Sequence, residues 1–379
     1  MQDKAALIRC ESYDQQEVDR AVAEAFALVG GLSQWIKPGM TVAIKANLLM
    51  KKKPEAFTTT HPAVIEAVAK QVRALGATAV IGDSPGGPFT PALVHGVYRT
   101  CGMEQAAQNA GAVLNEDFEQ VTVYEEKSVV LRQMQLCRYL TRADAVIDCA
   151  KLKTHGLTQY TGAVKNLYGC VPGTVKVEYH FRMPALKDFS QMLVDLCEHV
   201  RPVVSLIDAV EAMEGDGPSG GTMRKMNCLI ASSSAYAADV VGTRLMGLKP
   251  ESICTVQCAI ERRLVDPEQV LVLGERIEDY IANDYQVPAI QGEKTLPRMA
   301  PKCVMELLEK WMKPKPVFLH KKCVGCGDCF RSCPPKAISM KEGKPRADLN
   351  VCIRCFCCQE LCPVQAIRIK RNKLLKWIG

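Results

Sequence analysis

Cysteines near the end of the chain are the residues whose type and spacing point most directly to chemistry. They form two runs with the same Cys-x2-Cys-x2-Cys-x3-Cys-Pro spacing, offset by 29 residues. The first run consists of Cys323, Cys326, Cys329 and Cys333, followed by Pro334. The second run consists of Cys352, Cys355, Cys358 and Cys362, followed by Pro363. Three thiols at this spacing can surround one face of a cubane iron–sulfur cluster, and the fourth, placed before proline, can reach a second cluster.

Zinc and disulfides are the alternative explanations of so many cysteines. Zinc sites favour paired Cys-x2-Cys arms separated by a longer gap, whereas each run here has three evenly spaced cysteines. Disulfides need an oxidising compartment, and residues 1–10 lack the apolar segment and cleavage site of a secretion signal. The pattern therefore favours iron–sulfur clusters. The additional thiol, Cys357, is predicted to be a small buried apolar residue.

The duplicated motif resembles the bacterial-type two-cluster ferredoxin over about residues 316–371. That resemblance implies two 4Fe-4S clusters with crossed ligands. One cluster would be held by Cys323, Cys326, Cys329 and Cys362. The other would be held by Cys352, Cys355, Cys358 and Cys333.

Charge is distributed unevenly along the 379 residues. Residues 313–379 contain 15 Lys and Arg against 4 Asp and Glu, a net charge of +11, while the remainder carries a net charge of −4. A basic segment can bind nucleic acid, but this one offers few aromatic residues for stacking. Lysines near anionic clusters would instead offset their charge and provide a docking face for an acidic redox partner protein. We therefore expect no nucleic acid partner.

Short apolar runs alternate with amphipathic helices over residues 1–285, which predicts an α/β domain with a mainly parallel sheet and flanking helices. The predicted strands include 5–8, 41–45, 79–81, 145–148, 203–207, 228–230 and 270–273. The predicted helices include 14–30, 62–75, 92–110, 186–200 and 235–246. Residues 286–315 carry four prolines and read as a linker with a short helix at 303–312. Residues 316–379 form the predicted small α+β ferredoxin-like domain.

A dense polar segment follows the predicted strand at 145–148. Lys151, Lys153 and His155 alternate, so on an extended chain they face the same way. Lys165 and Tyr168 share a helix face because they are three residues apart. Several cations that converge at a strand end would suit a carboxylate or phosphate ligand. These five residues are the predicted catalytic group.

Two glycine-rich loops at other strand ends are candidates for cofactor binding, since ligands of open α/β sheets lie beyond the carboxyl ends of the strands. The first loop contributes Asp83, Ser84, Gly86 and Gly87. The second loop contributes Glu214, Gly215 and Gly217. A tight turn explains the first loop equally well, and a flexible acidic loop the second. Further residues expected at the rim are Lys45, Asn47, Lys176 and His180.

Several of these segments resemble the family known as domain of unknown function 362. The matching stretches are 44–47, 82–86, 151–155, 161–169 and 214–218. The likeness covers most of residues 5–280, and members often carry a C-terminal two-cluster ferredoxin module, as here. The resemblance implies an α/β domain linked to redox chemistry, and it brings no established catalytic residues.

Taken together, these features predict a cytoplasmic iron–sulfur oxidoreductase that passes electrons from a soluble low-potential partner to a small anionic substrate or cofactor at the strand ends. An additional, unidentified cofactor stays open, because no flavin or nicotinamide motif is present. One alternative is an electron-transfer or assembly protein whose α/β domain docks a larger redox enzyme and has no turnover of its own. Another is a non-redox enzyme with structural clusters. No run of 18 or more apolar residues exists, so no membrane span is expected.

Overall fold

The computed structural model describes residues 2–288 and 314–370. The first half of the sheet domain contains, in order, β1 (Lys4–Arg9), α1 (Gln15–Leu28), β2 (Thr41–Lys45), α2 (Pro62–Ala74), β3 (Thr78–Gly82), α3 (Pro91–Thr100), α4 (Met103–Ala110), β4 (Val113–Leu114), β5 (Gln120–Tyr124), β6 (Gln133–Cys137) and α5 (Arg138–Arg142). The second half contains β7 (Ala145–His155), β8 (Gln159–Thr161), α6 (Ala163–Asn166), α7 (Val175–Arg182), α8 (Leu186–Val200), β9 (Val204–Glu214), β10 (Thr222–Ser232), α9 (Ala235–Leu245), α10 (Cys254–Glu261) and β11 (Leu271–Gly274).

One large sheet organises the first domain. Its strand order is β11-β1-β10-β9-β7-β2-β3-β4, and β8 pairs with β7 as a ninth strand. Pairs within β9-β7-β2-β3-β4 are parallel, whereas β10 runs antiparallel to both β9 and β1. A short turn joins β9 to β10, which permits an antiparallel pair where a parallel one would need a crossover. The predicted α/β fold with a mainly parallel sheet is confirmed.

Strand β7 positions the polar segment identified in the sequence. It pairs with β2 as far as Asp148 and then continues beyond the end of β2. The extension is held by β8 on one side, through the pairing of Lys153 with Thr161, and by β9 on the other. Because β2, β3, β7 and β9 are parallel, their carboxyl ends meet at one edge of the sheet. The extended conformation predicted for Lys151 to His155 is thus part of a long strand.

Helices cover both faces of the sheet and create two apolar layers. Alternate residues of β7 enter opposite layers, as a pleated strand requires. Val146, Ala150 and Leu152 join one layer, and Ile147 and Cys149 join the other. A strand buried on both faces leaves its polar residues no solvent, so each must find a partner or face an internal cavity.

Local signals explain where several helices begin and end. The carboxylate of Asp14 accepts the amide N–H groups of residues 16 and 17 and starts α1. The Nδ1 atom of His61 accepts the N–H of Ala63, 3.2 Å away, and starts α2. The single helix predicted over 92–110 is in fact α3 and α4, because Gly102 adopts a left-handed φ of 78° between them.

The C-terminal domain (residues 314–370) reflects its internal repeat. It contains β12 (Lys315–Phe318), the short helix Asp328–Arg331, β13 (Ile338–Lys341), β14 (Lys344–Ala347), the short helix Cys357–Glu360 and β15 (Ile367–Lys370). Strand β12 pairs with β15, and β13 pairs with β14. Helix Cys357–Glu360, called the capping helix below, is the repeat counterpart of Asp328–Arg331. The predicted linker helix at 303–312 lies outside the described residues.

None of the helices in the two described ranges is both long and apolar enough to traverse a bilayer.

Candidate functional site

Four of the predicted cluster ligands surround a small cavity of about 20 Å³ in the C-terminal domain. They are Cys323, Cys326, Cys329 and Cys362. Three come from the first run and one from the second, which is the crossed arrangement expected from the repeat. Cys326 is exposed to solvent, whereas Cys329 and Cys362 are buried.

The other four predicted ligands also lie near one another. Burial raises the pKa of the Cys358 thiol well above its ordinary value, and nearby Cys355, Cys352 and Cys333, together with Cys329 of the first set, raise it further. Burial likewise raises the pKa of Cys333, with added contributions from Cys355 and Cys352. Crowded, buried thiols resist ionisation by themselves, and a bound metal centre favours their deprotonated form. No cysteine within the described ranges forms a disulfide.

Backbone amides point at several of these sulfur atoms. The N–H of Ala337 donates to Sγ of Cys333 over 3.2 Å, and the N–H of Ala366 donates to Sγ of Cys362 over 3.1 Å. These two bonds occupy equivalent places in the repeat. Amide donors favour the anionic form of a thiol and are a means by which proteins tune iron–sulfur clusters. The donor set therefore fits 4Fe-4S ligation.

A second cavity, of about 100 Å³, lies at the carboxyl edge of the sheet and is partly covered by the C-terminal domain. Strand β2 contributes Lys45, and the extension of β7 contributes Lys153 and His155. The capping helix contributes Cys357 and Glu360. Because Cys357 lies between two predicted cluster ligands, this cavity adjoins the second set of cysteines. The described lining of this cavity is rich in lysine side chains.

Lys45 forms a buried ion pair with Asp83, with 2.7 Å between Nζ and Oδ1. Burial alone would lower the pKa of Lys45, but Asp83 outweighs this effect and the pKa is raised. Asp83 also accepts the N–H of Leu48 over 2.6 Å, which fixes its orientation. A residue larger than glycine at position 169 would collide with both side chains. This pair is electrically balanced.

Lys153 and Lys176 have neutral partners instead of carboxylates. The ammonium of Lys153 donates to Oδ1 of Asn47 (2.5 Å) and to the carbonyl of Thr58 (2.7 Å). The ammonium of Lys176 donates to the carbonyl and hydroxyl oxygens of Ser84, over 2.7 and 2.9 Å. Burial lowers the pKa of Lys153 to about 7, helped by the nearby Lys165, and lowers that of Lys176 to about 8.

Lys165 differs from the other lysines. In the part of the chain that the structure describes, its ammonium has neither a hydrogen bond nor an ion pair, and it lies over the ring of Tyr168, 5.8 Å from Nζ to the centroid. Burial lowers the pKa of Lys165, against the opposing influence of Glu360. An ammonium in this position gains from a bound anion.

His155 connects the two domains. Its Nδ1 atom accepts the N–H groups of Leu157 (3.0 Å) and Thr158 (3.3 Å), so the proton of the neutral ring resides on Nε2. Nε2 lies 3.0 Å from Oε1 of Glu360, at ion-pair distance, and both atoms are buried without a well-formed hydrogen bond to any described residue. Burial and Lys165 lower the pKa of His155 to about 4, which keeps the ring neutral. Burial alone would raise the pKa of Glu360, but His155 and Lys165 lower it to about 2.

Tyr168 forms an aromatic wall rather than an acid. Its hydroxyl donates to the carbonyl of Lys176 over 2.6 Å, and burial raises its pKa well above the ordinary value. Its ring packs edge-on against His180 and Phe189. Burial lowers the pKa of His180 to about 3, so that ring is also neutral.

Polar contacts hold the C-terminal domain over this cavity. Gln359 donates to the carbonyl of Asp216 (3.0 Å), and Gln365 donates to the carbonyl of Ser219 (2.7 Å). On the other side, the ammonium of Lys52 donates to the carbonyl of Pro363 over 2.9 Å. The loop between β9 and β10 therefore positions the capping helix.

Most predicted site residues line the 100 Å³ cavity. They are Asp83, Ser84, Gly86, Gly87, Lys153, His155, Lys165 and Tyr168, together with the expected rim residues Lys45, Asn47, Lys176 and His180. Gly86 borders Leu361 of the C-terminal domain so closely that a side chain there would collide with it.

Four predicted site residues do not line this cavity, contrary to the expectation that they join its ligand group. Lys151 is paired with Asp208 (2.9 Å) and Tyr13 (2.6 Å), because the regular pairing of β7 with β9 places Asp208 directly opposite it. The other three are Glu214, Gly215 and Gly217. Glu214 ends β9 and accepts the N–H of Gln286 over 3.1 Å.

The sequence reasoning missed the part of the lining that comes from the C-terminal domain. Glu360 and Leu361 belong to no motif that would predict contact with residues about 200 or more positions earlier. Cys357, predicted to be simply buried, is buried and also faces the cavity. Its place between Cys355 and Cys358 was the available signal.

Both domains match known protein families. Residues 42–244 match the family model described as Domain of unknown function (DUF362), and residues 315–363 match the model described as 4Fe-4S dicluster domain. A thylakoid-associated protein from Synechocystis sp. is 34% identical over 270 residues, which is 70% of this chain and 81% of that protein.

Two solved structures show weaker similarity. The lactate racemase apoprotein from Thermoanaerobacterium thermosaccharolyticum has a TM-score of 0.40 and 13% identity, covering 61% of this chain and 54% of that one. A structural genomics protein from Thermotoga maritima has a TM-score of 0.35 and 12% identity, covering 60% and 57%. The chain spans little more than half of each, and scores this low carry no functional implication.

The family match extends over more than half of the chain, and a relative of which this chain covers 81% is 34% identical. This protein therefore belongs to the DUF362 family and carries a C-terminal 4Fe-4S dicluster domain.

Proposed function

We propose that this iron–sulfur electron-transfer protein is an oxidoreductase that delivers electrons to a small anion bound in the 100 Å³ cavity. The observation that carries the proposal is the capping helix. It begins between two predicted cluster ligands and ends at Glu360, which faces the lysines of the sheet domain. A binding cavity and an electron carrier thus share one wall.

Two clusters would be held by the two crossed sets of cysteines described above. When bound, such clusters supply one-electron carriers whose potential depends on hydrogen bonds to sulfur and on solvent exposure. The two cysteine sets differ in solvent exposure, which supports different roles for the two clusters in electron transfer. Cys326 of the first set is exposed, whereas Cys358 of the second is half-buried within the capping helix.

The exposed side suits an external electron donor. Val324 and Phe330, which flank Cys326 in sequence, are 66% and 46% exposed. Lys321 and Lys322 are also exposed. Exposed apolar residues with exposed lysines in the same segment fit a soluble, acidic, low-potential carrier protein, since complementary charge speeds docking.

Reduction of a buried anion also requires protons. For a generic acceptor A, two electrons and two protons give AH₂ while two molecules of a one-electron carrier are oxidised. Lys153 is suited to holding one of these protons at Nζ, because its pKa of about 7 matches neutral conditions. His155 directs its Nε2–H toward the same cavity. Tyr168, whose hydroxyl is bound to a carbonyl, would orient Lys165 rather than act as an acid.

The exposed apolar residues also support a second candidate function, that of an electron-transfer or assembly protein that docks a larger redox enzyme. In that case the exposed first set would face the enzyme, and the cavity would have no substrate. A cytoplasmic location is proposed on the basis of the many free thiols. A further two-electron cofactor, for which this cavity is too small, would bind elsewhere on the protein.

Anaerobic reoxidation tests the proposal. The holoprotein is reduced with dithionite, freed of excess reductant and mixed with sulfite, nitrite or selenite while visible absorbance is followed. We expect at least one anion to restore the oxidised spectrum, and Lys165→Met to slow this reaction while Lys187→Met does not. If none reoxidises the protein faster than buffer, the oxidoreductase function is refuted.

A further inference from the structure

The volume of the 100 Å³ cavity restricts what can fill it. Cavities of about 150 Å³ hold benzene, a molecule of six carbon atoms. A single ligand with about four to six non-hydrogen atoms therefore matches this cavity by the same measure. Nucleotides, flavins and longer organic acids are too large to be enclosed.

The charges that face the cavity are not balanced. The described lining includes four lysines and two carboxylates. Lys45 and Asp83 neutralise each other. Lys153 and Lys176 donate to neutral oxygen atoms, and Lys165 has no polar partner within the described ranges. Glu360 is the remaining carboxylate, so three ammonium groups face one negative charge when all are ionised. Two negative charges would complete the balance.

Donors approach the cavity from three separate elements of the sheet domain. His155 is 1% exposed, and its Nε2–H has no hydrogen bond of good geometry to any described residue. Lys165 lies on α6, which follows β8, and Lys176 lies on α7. Donors on three separate elements match an acceptor with several oxygen atoms better than one with a single charged point.

We propose that the cavity binds a dianionic oxyanion of the size of sulfate or oxalate, held by Lys165, Lys176 and the Nε2–H of His155. The binding of such an anion follows from the volume, charge and donors of the cavity. The further claim that the electron acceptor is a reducible oxyanion of this class rests on the proposed function.

Calorimetric titration of the anaerobic holoprotein tests the site with defined anions. Sulfate and oxalate are small dianions, acetate is a small monoanion, and glutarate is a longer dianion. We expect sulfate and oxalate to bind at least about tenfold more tightly than acetate or glutarate. Equal affinity for acetate would overturn the charge argument, and equal affinity for glutarate would overturn the size argument. Absence of sulfate and oxalate binding would overturn the site itself.

Variants locate the binding within the cavity. Lys165→Met should weaken sulfate binding at least about tenfold, whereas Lys187→Met, on an exposed side chain paired with Glu261, should leave it unchanged. Equal effects of the two variants would overturn the assignment. The anion series on unmodified protein decides the question even where a variant fails to fold. Sulfate binding without any anion-dependent reoxidation would refute the proposed function alone, and reoxidation by a large acceptor without sulfate binding would refute this inference alone.

Discussion

Replacing Lys165 with methionine is expected to change stability and anion affinity in opposite directions. In the ligand-free protein the side chain is a partly buried ammonium with no ion pair among the described residues and a lowered pKa. Replacing such a buried charge by an apolar residue of similar length typically leaves stability unchanged or raises it, here by about 1 kcal/mol. The unfolding temperature of the ligand-free variant should therefore equal or exceed that of the unmodified protein.

The same change should reduce sulfate affinity. One hydrogen bond to a charged group is worth about 1.5–3 kcal/mol. Its loss corresponds to a dissociation constant raised by about 10- to 150-fold. Calorimetric unfolding and sulfate titration on the same preparations give both quantities, with Lys187→Met as the exposed control. A variant that is less stable but binds sulfate normally would show that Lys165 is structural and would refute the reasoning.

Three further predictions follow from the cavity and the cysteines. Glu360→Gln should strengthen sulfate binding by about tenfold, since it removes a negative charge from the cavity wall; weaker binding would argue against electrostatic control. Sulfate affinity should fall as pH rises through about 7, where Lys153 loses its proton, and fall further through about 8, where Lys176 does; titration of Lys153→Met should lack the step near 7 only. The ligand-free protein should gain stability over the same rise, because the unfolded chain keeps a proton on this lysine up to about pH 10.5. Cys362→Ala should lose about four irons per chain in metal analysis, whereas Cys357→Ala should keep about eight; equal losses would contradict the ligand assignment.

Local patterns made much of the sheet domain predictable. The apolar runs that became β2, β3, β7 and β9 are continuous because both of their faces are covered by helices. Alternation within residues 151–155 correctly indicated an extended chain. The parallel order of these strands then brought their ends together, which is why most of the predicted residues share a cavity.

The remaining features depend on contacts that sequence periodicity does not encode. Lys151 follows the same alternation as Lys153, yet the pairing of β7 with β9 places Asp208 opposite it, and it forms an ion pair there instead of lining the cavity. The loop after Glu214 was predicted to bind a ligand or cofactor, but its described contacts support the capping helix through the carbonyls of Asp216 and Ser219. The position of Glu360 over His155 arises from domain docking, for which no short motif exists.

Electron paramagnetic resonance of the reduced holoprotein during sulfate titration tests most directly whether the cavity anion lies beside an electron carrier. Sulfate should alter the signal assigned to the Cys352, Cys355, Cys358 and Cys333 set and leave the other signal unchanged. The same titration of Lys165→Met should show no change at sulfate concentrations that saturate the unmodified protein. If calorimetry shows that sulfate binds but neither signal changes, the account is contradicted.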